Sequence, residues 1–396
     1  MTSVVEADYI IQSVNIALPV VQVSIEEING HILAEPVYTD RDLPPYHRVT
    51  MDGIAVQSAS LMPGKMFSVQ GVQPAGAEPM TLLSPDHCIR VMTGAKLPVG
   101  TDTVIPKELL SVEENGIRVA DDKIKPGINI HFRGSDCRQG DCLLQPGTRL
   151  TPAEVGILAA TGKALTQVFG FPKTAVISTG DELVDLHDQP KPWQVRRSNS
   201  YMLQTAMRSL GWHSDRYHFN DDENLIKHEL KRLLGIYNIV ILSGGVSQGD
   251  FDFIPSVLDT CGIRKKIHHI AQRPGKPFWF GADETASKIV FALPGNPVAS
   301  FVSFFRYIKP WMHRQMGVHD HFPTAQLADD FSFKPALTYF LQVKLKIENG
   351  LLKAKPVPGG GSGDFHNLIH SDGFLELPPD RNEFYRGESF PLIRFR

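Results

Sequence analysis

Between Lys173 and Gly317 the chain alternates short β-branched and apolar runs with stretches of helical periodicity, a pattern that few folds accept. Strands are predicted at 174–178, 239–242, 266–270 and 289–293, and helices near 200–210, 224–234, 254–258 and 297–312. Such alternation builds an α/β domain around a mainly parallel sheet. In sheets of this kind ligands sit in the crevice outside the carboxyl ends of the strands.

The flanks have a different texture. Ser3-x-x-Glu6 has the form of a capping box and precedes Ile10, Ile11 and Val14, predicting an amphipathic helix. Ser24-x-x-Glu27 predicts a short helical turn that Asn29-Gly30 stops. From about 50 to 133 apolar runs are broken by Gly and Pro, and Glu114-Asn115-Gly116-Ile117 carries a hairpin signal. Thr151-Pro152 opens a helix that runs to Gly162. Phe340 to Ile347 alternates as a strand should and enters a tight turn at Asn349-Gly350. With 396 residues the chain exceeds what one core fills. The expected division is a discontinuous helical linker region, 1–49 with 134–170, a β-rich domain at 50–133, the α/β domain at 171–317 and a C-terminal β domain at 318–396.

A formal net charge of -3, with 42% hydrophobic and 21% charged residues, describes an ordinary globular protein. It offers no basic field for nucleic acid or an anionic membrane, so an anionic ligand must be held locally. The amino terminus has no secretory pattern and no apolar stretch is long enough to span a bilayer, which predicts a cytoplasmic protein. Four irregularly spaced cysteines make neither a disulfide framework nor a zinc motif.

The α/β region concentrates the chemistry. Ser243-Gly244-Gly245-Val246-Ser247-Gln248-Gly249-Asp250-Phe251-Asp252 follows an apolar run and precedes a helix, where backbone N–H groups favour a phosphate. Thr179-Gly180-Asp181-Glu182 and Asp221-Asp222 bring carboxylates to the same sheet edge. Carboxylates beside a phosphate repel it unless a cation such as Mg²⁺ lies between them. Arg273-Pro274-Gly275-Lys276-Pro277 and Leu293-Pro294-Gly295-Asn296-Pro297 make two rigid Pro-Gly loops, the first with cations suited to an oxyanion. Farther upstream, Asp52 of Met51-Asp52-Gly53, Thr93 and Asp136 read by residue type alone as turn formers.

In this order the segments resemble the molybdopterin molybdotransferase family, known as MoeA in bacteria and as the gephyrin E domain in animals. The resemblance spans essentially the whole chain and rests on Asp42-Leu-Pro-Pro-Tyr46 with Met51-Asp52-Gly53, Arg90-Val-Met-Thr-Gly-Ala95, Ser178-Thr-Gly-Asp-Glu-Leu183, Ser243-Gly-Gly-Val-Ser-Gln-Gly249, Pro274-Gly-Lys-Pro277 and Leu293-Pro-Gly-Asn-Pro297. It implies an elongated four-domain subunit with a central α/β molybdopterin-binding domain and a barrel-like C-terminal domain. It also implies a homodimer whose active site lies between the α/β domain of one subunit and the β-rich domain of the other. The implied reaction is Mg²⁺-dependent insertion of molybdate into adenylyl-molybdopterin with release of AMP.

By matching position, the resemblance makes Asp52, Asp136 and Glu182 catalytic and assigns Asp221 and Asp252 to the metal. Substrate contacts fall to Thr93, Ser243, Gly244, Gly245, Val246, Ser247 and Gly249, together with Arg273, Lys276, Pro277, Pro294 and Ser371. Further implied partners are the upstream adenylyltransferase and the recipient molybdoenzymes. The chain departs from the family at Arg48-Val49-Thr50 and Ile54, and at Arg197, where the family has an acid; Arg273 replaces a usual Lys. Two other readings compete: a molybdopterin adenylyltransferase, which the α/β region alone also resembles, and a non-catalytic gephyrin-like scaffold.

Overall fold

A computed structural model describes residues 1–120, 124–245, 253–357, 359 and 364–396. The chain forms two compact units, one of Met1–Glu35, Pro146–Thr151 and Leu165–Arg396, the other of Pro36–Gln145 and Pro152–Ala164.

The first unit is organised by a six-stranded sheet of β1 (Thr174–Thr179), β2 (Asp215–Phe219), β3 (Ile239–Ser243), β4 (Arg264–His268), β5 (Trp279–Ala282) and β6 (Ile289–Leu293), in the order β2-β1-β3-β6-β5-β4. The run β2-β1-β3-β6 is parallel, and β5 and β4 add antiparallel. Helices α1 (Asn199–Arg208), α2 (Glu223–Ile236), α3 (Ile254–Thr260) and α4 (Pro297–Ser303) follow strand ends. Every residue of β1, β3 and β6 is buried, because a sheet covered on both faces leaves no polar side for alternation to mark. Successive residues still divide between two cores. Val176, Ile241 and Phe291 join one with Trp212 and Trp311, while Ile177, Val240 and Val290 join the other with Leu230 and Leu258.

Two of these strands escape the periodicity argument. Asp-Arg-Tyr-His-Phe is polar because β2 is a sheet edge with its first residues exposed. Trp279–Ala282 is too short for alternation to show. The strand expected at 266–270 instead ends at His268, where His269 turns out of the ladder with φ +85°.

Beyond the sheet, β7 (Thr324–Leu327), β8 (Thr338–Glu348), β9 (Leu351–Pro356), β10 (Gly373–Leu377) and β11 (Ser389–Arg394) pair in a ring that closes through β8 and β10. This five-stranded barrel is the expected C-terminal β structure. Its Asn349-Gly350 turn has φ +51° and +77°, the two positive angles that a right-twisted hairpin requires.

The amino-terminal helix, Val4–Gln12, starts where the capping box predicts, with the Ser3 hydroxyl accepting from the Glu6 N–H at 3.1 Å. Its Val4, Ala7 and Ile11 enter the core shared with β3 and β6. The Ser24 to Glu27 stretch makes the single turn expected of it, consistent with the unfavourable nucleation of so short a segment. It follows the strand Val20–Ser24, which pairs with Leu165–Phe169.

In the second unit the sheet order is Thr103–Pro106, Gly53–Val56, His87–Val91, Met66–Gln73, Gly116–Val119, Leu110–Glu113. The Glu114-Asn115 hairpin is present, with Glu113 opposite Gly116. The helix after Thr151 spans Pro152–Ala160. All four cysteines are free thiols.

One buried charge ties three elements of the first unit together. Arg306, 7% exposed, donates from Nε to Glu376 Oε2 of β10 at 2.7 Å and from an η nitrogen to Asp8 Oδ1 of the first helix at 3.0 Å. Burial works against its charge, yet Glu376 and Asp8 outweigh that and hold its pKa above the ordinary arginine range. Removing one partner of such a group is far more damaging than replacing the whole set with apolar residues. Glu376→Leu is therefore expected to lower stability by about 3 kcal/mol or more. The combination Asp8→Leu, Arg306→Met, Glu376→Leu should recover most of it, as read by urea denaturation. Equal losses in the two proteins would show that the charges do not act as a set.

Candidate functional site

The carboxyl ends of β1, β2, β3 and β6 lie side by side, with Ser178 opposite Ser243 and Ser243 opposite Leu293 in the registers. The segments that leave there approach closely, and their geometry leaves little room for other residues. Gly244 has φ +107°, and a Cβ on it would meet the Thr179 carbonyl oxygen at 2.8 Å and hydroxyl at 2.9 Å. Its N–H donates to Leu293 O at 3.1 Å, so this amide is already spent within the fold and Gly244 supplies closeness. Asn199, the first residue of α1, donates through Nδ2 to Ser243 Oγ at 2.7 Å and to Gly295 O at 2.8 Å. It thereby fastens the glycine loop to the Leu293-to-Pro297 loop. Asn199 Oδ1 and Thr179 Oγ1 are buried and have no hydrogen-bond partner among the described residues.

Carboxylates crowd the same rim. The Asp221 N–H donates to Asp181 Oδ1 at 3.1 Å. The Glu182 carboxylate lies over Gly180, where a Cβ would come within 2.5 Å of it. His218, half-buried, has its pKa lowered by desolvation, with Arg197 acting in the same direction and Asp221 and Glu182 against it. Asp222 is occupied otherwise, capping α2 through the Leu225 N–H at 2.9 Å. Val246, Ser247, Gly249 and Asp252 lie outside the described residues. Among the described residues no group of three His, Cys, Asp or Glu side chains is arranged to hold a metal.

The segment after Glu182 returns beside it, since the Val195 N–H donates to Glu182 O at 2.9 Å. It carries Trp193, 70% exposed, and Arg197, whose guanidinium is paired with Asp185.

The Arg273-to-Pro277 loop meets α4 on one side, Gly275 facing Ala299 and Ser303, and the barrel on the other, where Gln272 and Arg273 pair with Thr338 and Tyr339. Arg273 and Lys276 are exposed, Pro277 partly so and Pro294 buried. Arg273, Pro274 and Gln342 line a cavity of about 60 Å³, room for a small oxyanion or a few waters. Ser371 is fully buried, and its hydroxyl donates to Asn367 O at 2.8 Å and Gln342 Oε1 at 3.3 Å. Its reach toward that cavity runs through Gln342.

In the second unit Asp52 precedes Gly53, at which a Cβ would fall 1.9 Å from Ile105 O, so no side chain fits beside Asp52. The Thr93 N–H and hydroxyl both donate to Asp52 Oδ1 at 2.8 Å and hold the carboxyl below the usual carboxylate range. Asp136 Oδ1 is 2.7 Å from His131 Nε2, and His131 Nδ1 is 2.8 Å from an Arg48 η nitrogen. Arginine can only donate, so Nδ1 accepts and Nε2 carries the proton toward Asp136.

Three family models follow one another along the chain: the MoeA N-terminal region (domain I and II) over residues 2–162, the probable molybdopterin binding domain over 175–314, and the MoeA C-terminal region (domain IV) over 324–395. A molybdopterin molybdenumtransferase of Synechocystis sp. is 39% identical over 368 residues, 92% of each chain. The chain belongs to the MoeA family of molybdopterin molybdenumtransferases. Another relative of that name, from Staphylococcus epidermidis, is 28% identical over 99% of this chain and 95% of its own. A molybdopterin biosynthesis MoeA protein from Pyrococcus horikoshii superposes with a TM-score of 0.84 at 30% identity, covering 100% of this chain and 99% of that one.

This MoeA-family chain is thus an enzyme of molybdenum cofactor biosynthesis, with matches on both sides of the α/β domain. Its departures have local reasons. Val49 and Ile54 are fully buried core residues of the second unit, Arg48 orders His131, and Arg197 is answered by Asp185. Sequence reasoning passed over Asn199, Thr179, His218 and His131 as site residues. Asn199 sits where a helix cap is expected, so its residue type announces nothing about the two loops it joins.

Asn199→Ala would leave Ser243 Oγ buried without its donor and release Gly295. The expected loss is about 1–3 kcal/mol, seen as a lower thermal midpoint with faster proteolysis at the 243–249 loop. An unchanged midpoint would remove Asn199 from this role.

Proposed function

We propose that this molybdopterin molybdenumtransferase inserts molybdate into adenylyl-molybdopterin in a Mg²⁺-dependent reaction that releases AMP. The observation that supports this most is the gathering of Asp181, Glu182 and Asp221 beside a glycine loop at the ends of one parallel sheet. Hard oxygen donors fit Mg²⁺, which uses one or two carboxylates together with substrate phosphate and needs no preformed protein cage. The orphaned Thr179 Oγ1 and Asn199 Oδ1 offer further oxygen atoms at the same place. In our reading Asp221 and Asp252 hold the metal. When bound, it neutralises the phosphate charge between the carboxylates and polarises the group that leaves.

The chain's own residues then have distinct tasks. The backbone from Gly245 through Val246, Ser247 and Gly249 grips the phosphates, with Ser243 and Gly244 setting the loop's closeness and Pro294 its neighbour's rigidity. Glu182 accepts the proton of the attacking group. Arg273, Lys276 and Pro277 gather molybdate, and Ser371 orients Gln342 toward it. Asp52, with Thr93, and Asp136 act from the other subunit of a homodimer, on the side of its β-rich domain, as the resemblance to the family implies. We assign the protein to the cytoplasm, consistent with the absence of any membrane-spanning helix among the described residues. The four-part division at 49/50, 133/134, 170/171 and 317/318 remains our preferred one. Hand-over partners are an upstream adenylyltransferase and recipient molybdoenzymes.

Supplying adenylyl-molybdopterin and molybdate with a Mg²⁺ titration tests the reaction directly: AMP and active cofactor should appear together and only with the metal. Asp252→Asn is expected to raise the Mg²⁺ concentration needed, and an unchanged titration would remove Asp252 from the metal.

Asp52 gives a sharper test because both Thr93 donors reach Oδ1. Asn keeps an oxygen there, so Asp52→Asn preserves the turn and removes only the charge. We expect an unchanged thermal midpoint and turnover reduced about 10²–10⁴-fold. Near-normal turnover would make Asp52 a structural residue.

A further inference from the structure

A large cavity of the first unit lies at the amino-terminal edge of the sheet, opposite the crevice. It holds about 930 Å³ and is bounded by the starts of β1 and β2, the end of α2 and the segments around Gly30, Arg149 and Phe171. That size is within the range of small-molecule pockets, roughly 300–1,000 Å³. Thr174 and Thr179 terminate the same strand, and five steps of about 3.3 Å separate the two sites by roughly 17 Å. A single small ligand cannot occupy both.

The charged lining is mainly basic. Arg149, Lys173 and Arg208 stand against a single carboxylate, Asp215, whose Oδ2 already accepts from the Tyr237 hydroxyl at 2.6 Å, and the imidazoles of His31, His213 and His313 add polar edges. Lys173 and Arg208 are exposed and make no ion pair among the described residues. Arg149 makes two long contacts, to Gly30 O at 3.3 Å and His313 Nε2 at 3.4 Å. Since arginine can only donate, His313 Nε2 accepts, and its Nδ1 donates to Asp320 at 2.8 Å. His313 therefore orients the guanidinium, and Asp320 behind it offsets part of the charge. The remaining wall is flat and apolar. Phe169, Phe171 and Ile236 contribute to it, and Phe171 is fixed by stacking on Trp212 at 5.5 Å with planes 6° apart.

Separated cations hold several phosphate oxygens, and an immobilised aromatic face takes a planar ring. We propose that this cavity binds a nucleoside di- or triphosphate, with phosphates on Arg149, Lys173 and Arg208 and the base against Phe171 or Phe169. The site rests on this cavity alone and stands whether or not the crevice has the roles given above.

Two measurements on the full chain test it. Photolabelling with 8-azido-ADP followed by peptide mapping should place label in 169–173 or 208–215. Label confined to the segments after Thr179, Phe219 and Ser243 would put the nucleotide in the crevice and overturn the proposal, as would no labelling. In calorimetry, ADP should bind once per chain, and Lys173→Glu with Arg208→Glu should weaken it at least about tenfold at an unchanged thermal midpoint. Inorganic pyrophosphate should bind at least about tenfold more weakly than ADP, because it has no ring for the aromatic wall. Pyrophosphate binding as tight as ADP, or double-variant binding equal to wild type, would overturn the nucleotide assignment.

Discussion

Everything in the first unit is arranged around a charge that has been taken out of water. Arg306 sits in the helical stretch after α4, and among the described residues the first helix and the barrel strand β10 supply its countercharges. A buried guanidinium tolerates few geometries, since its fork must meet carboxylates in plane. It therefore sets where the amino-terminal helix and the barrel stand relative to the sheet, and with them the β8 contact that carries Arg273. Apolar packing alone, with Phe301, Phe305, Phe374 and Phe395 sliding over one another, is less demanding of register.

The crevice follows from parallel pairing. Strands that run the same way deliver all their exits to one edge, so loops far apart in sequence become neighbours. Glycine then decides how closely they approach, as Gly244 does under the Thr179 carbonyl. Asn199 replaces the contact that side chains cannot make there. The result is a polar rim, with oxygen atoms unpaired among the described residues, on a scaffold of mostly apolar cores, the combination in which a charged ligand gains most from a few fixed groups.

Much of this was legible before any coordinates. The capping box at Ser3, the hairpins at Asn115 and Asn349, and the buried runs of β1, β3 and β6 announce themselves, because each depends on residues adjacent in sequence. β2 and β5 do not. One is polar from lying at an edge, the other too brief to show a period. The site divides in the same way. Motifs that need glycine for backbone reasons are visible as motifs, whereas His131 and Asn199 acquire a role only through partners such as Arg48 and Gly295. Charge at Arg197 reads as a reversal in the sequence and is cancelled in space by Asp185. Periodicity cannot foresee a partner twelve residues away across a turn.

The segment that returns beside Glu182 has one more property. Of the four tryptophans, Trp212, Trp279 and Trp311 are enclosed, and only Trp193 stands in water. Indole emission shifts to longer wavelength with solvent exposure, and dissolved quenchers reach only what is open. The long-wavelength, quenchable part of this protein's fluorescence thus comes from a single ring, two residues before the Val195 amide that bonds Glu182. The molecule carries its own optical gauge of that loop, readable without labels and separable from the light of its core.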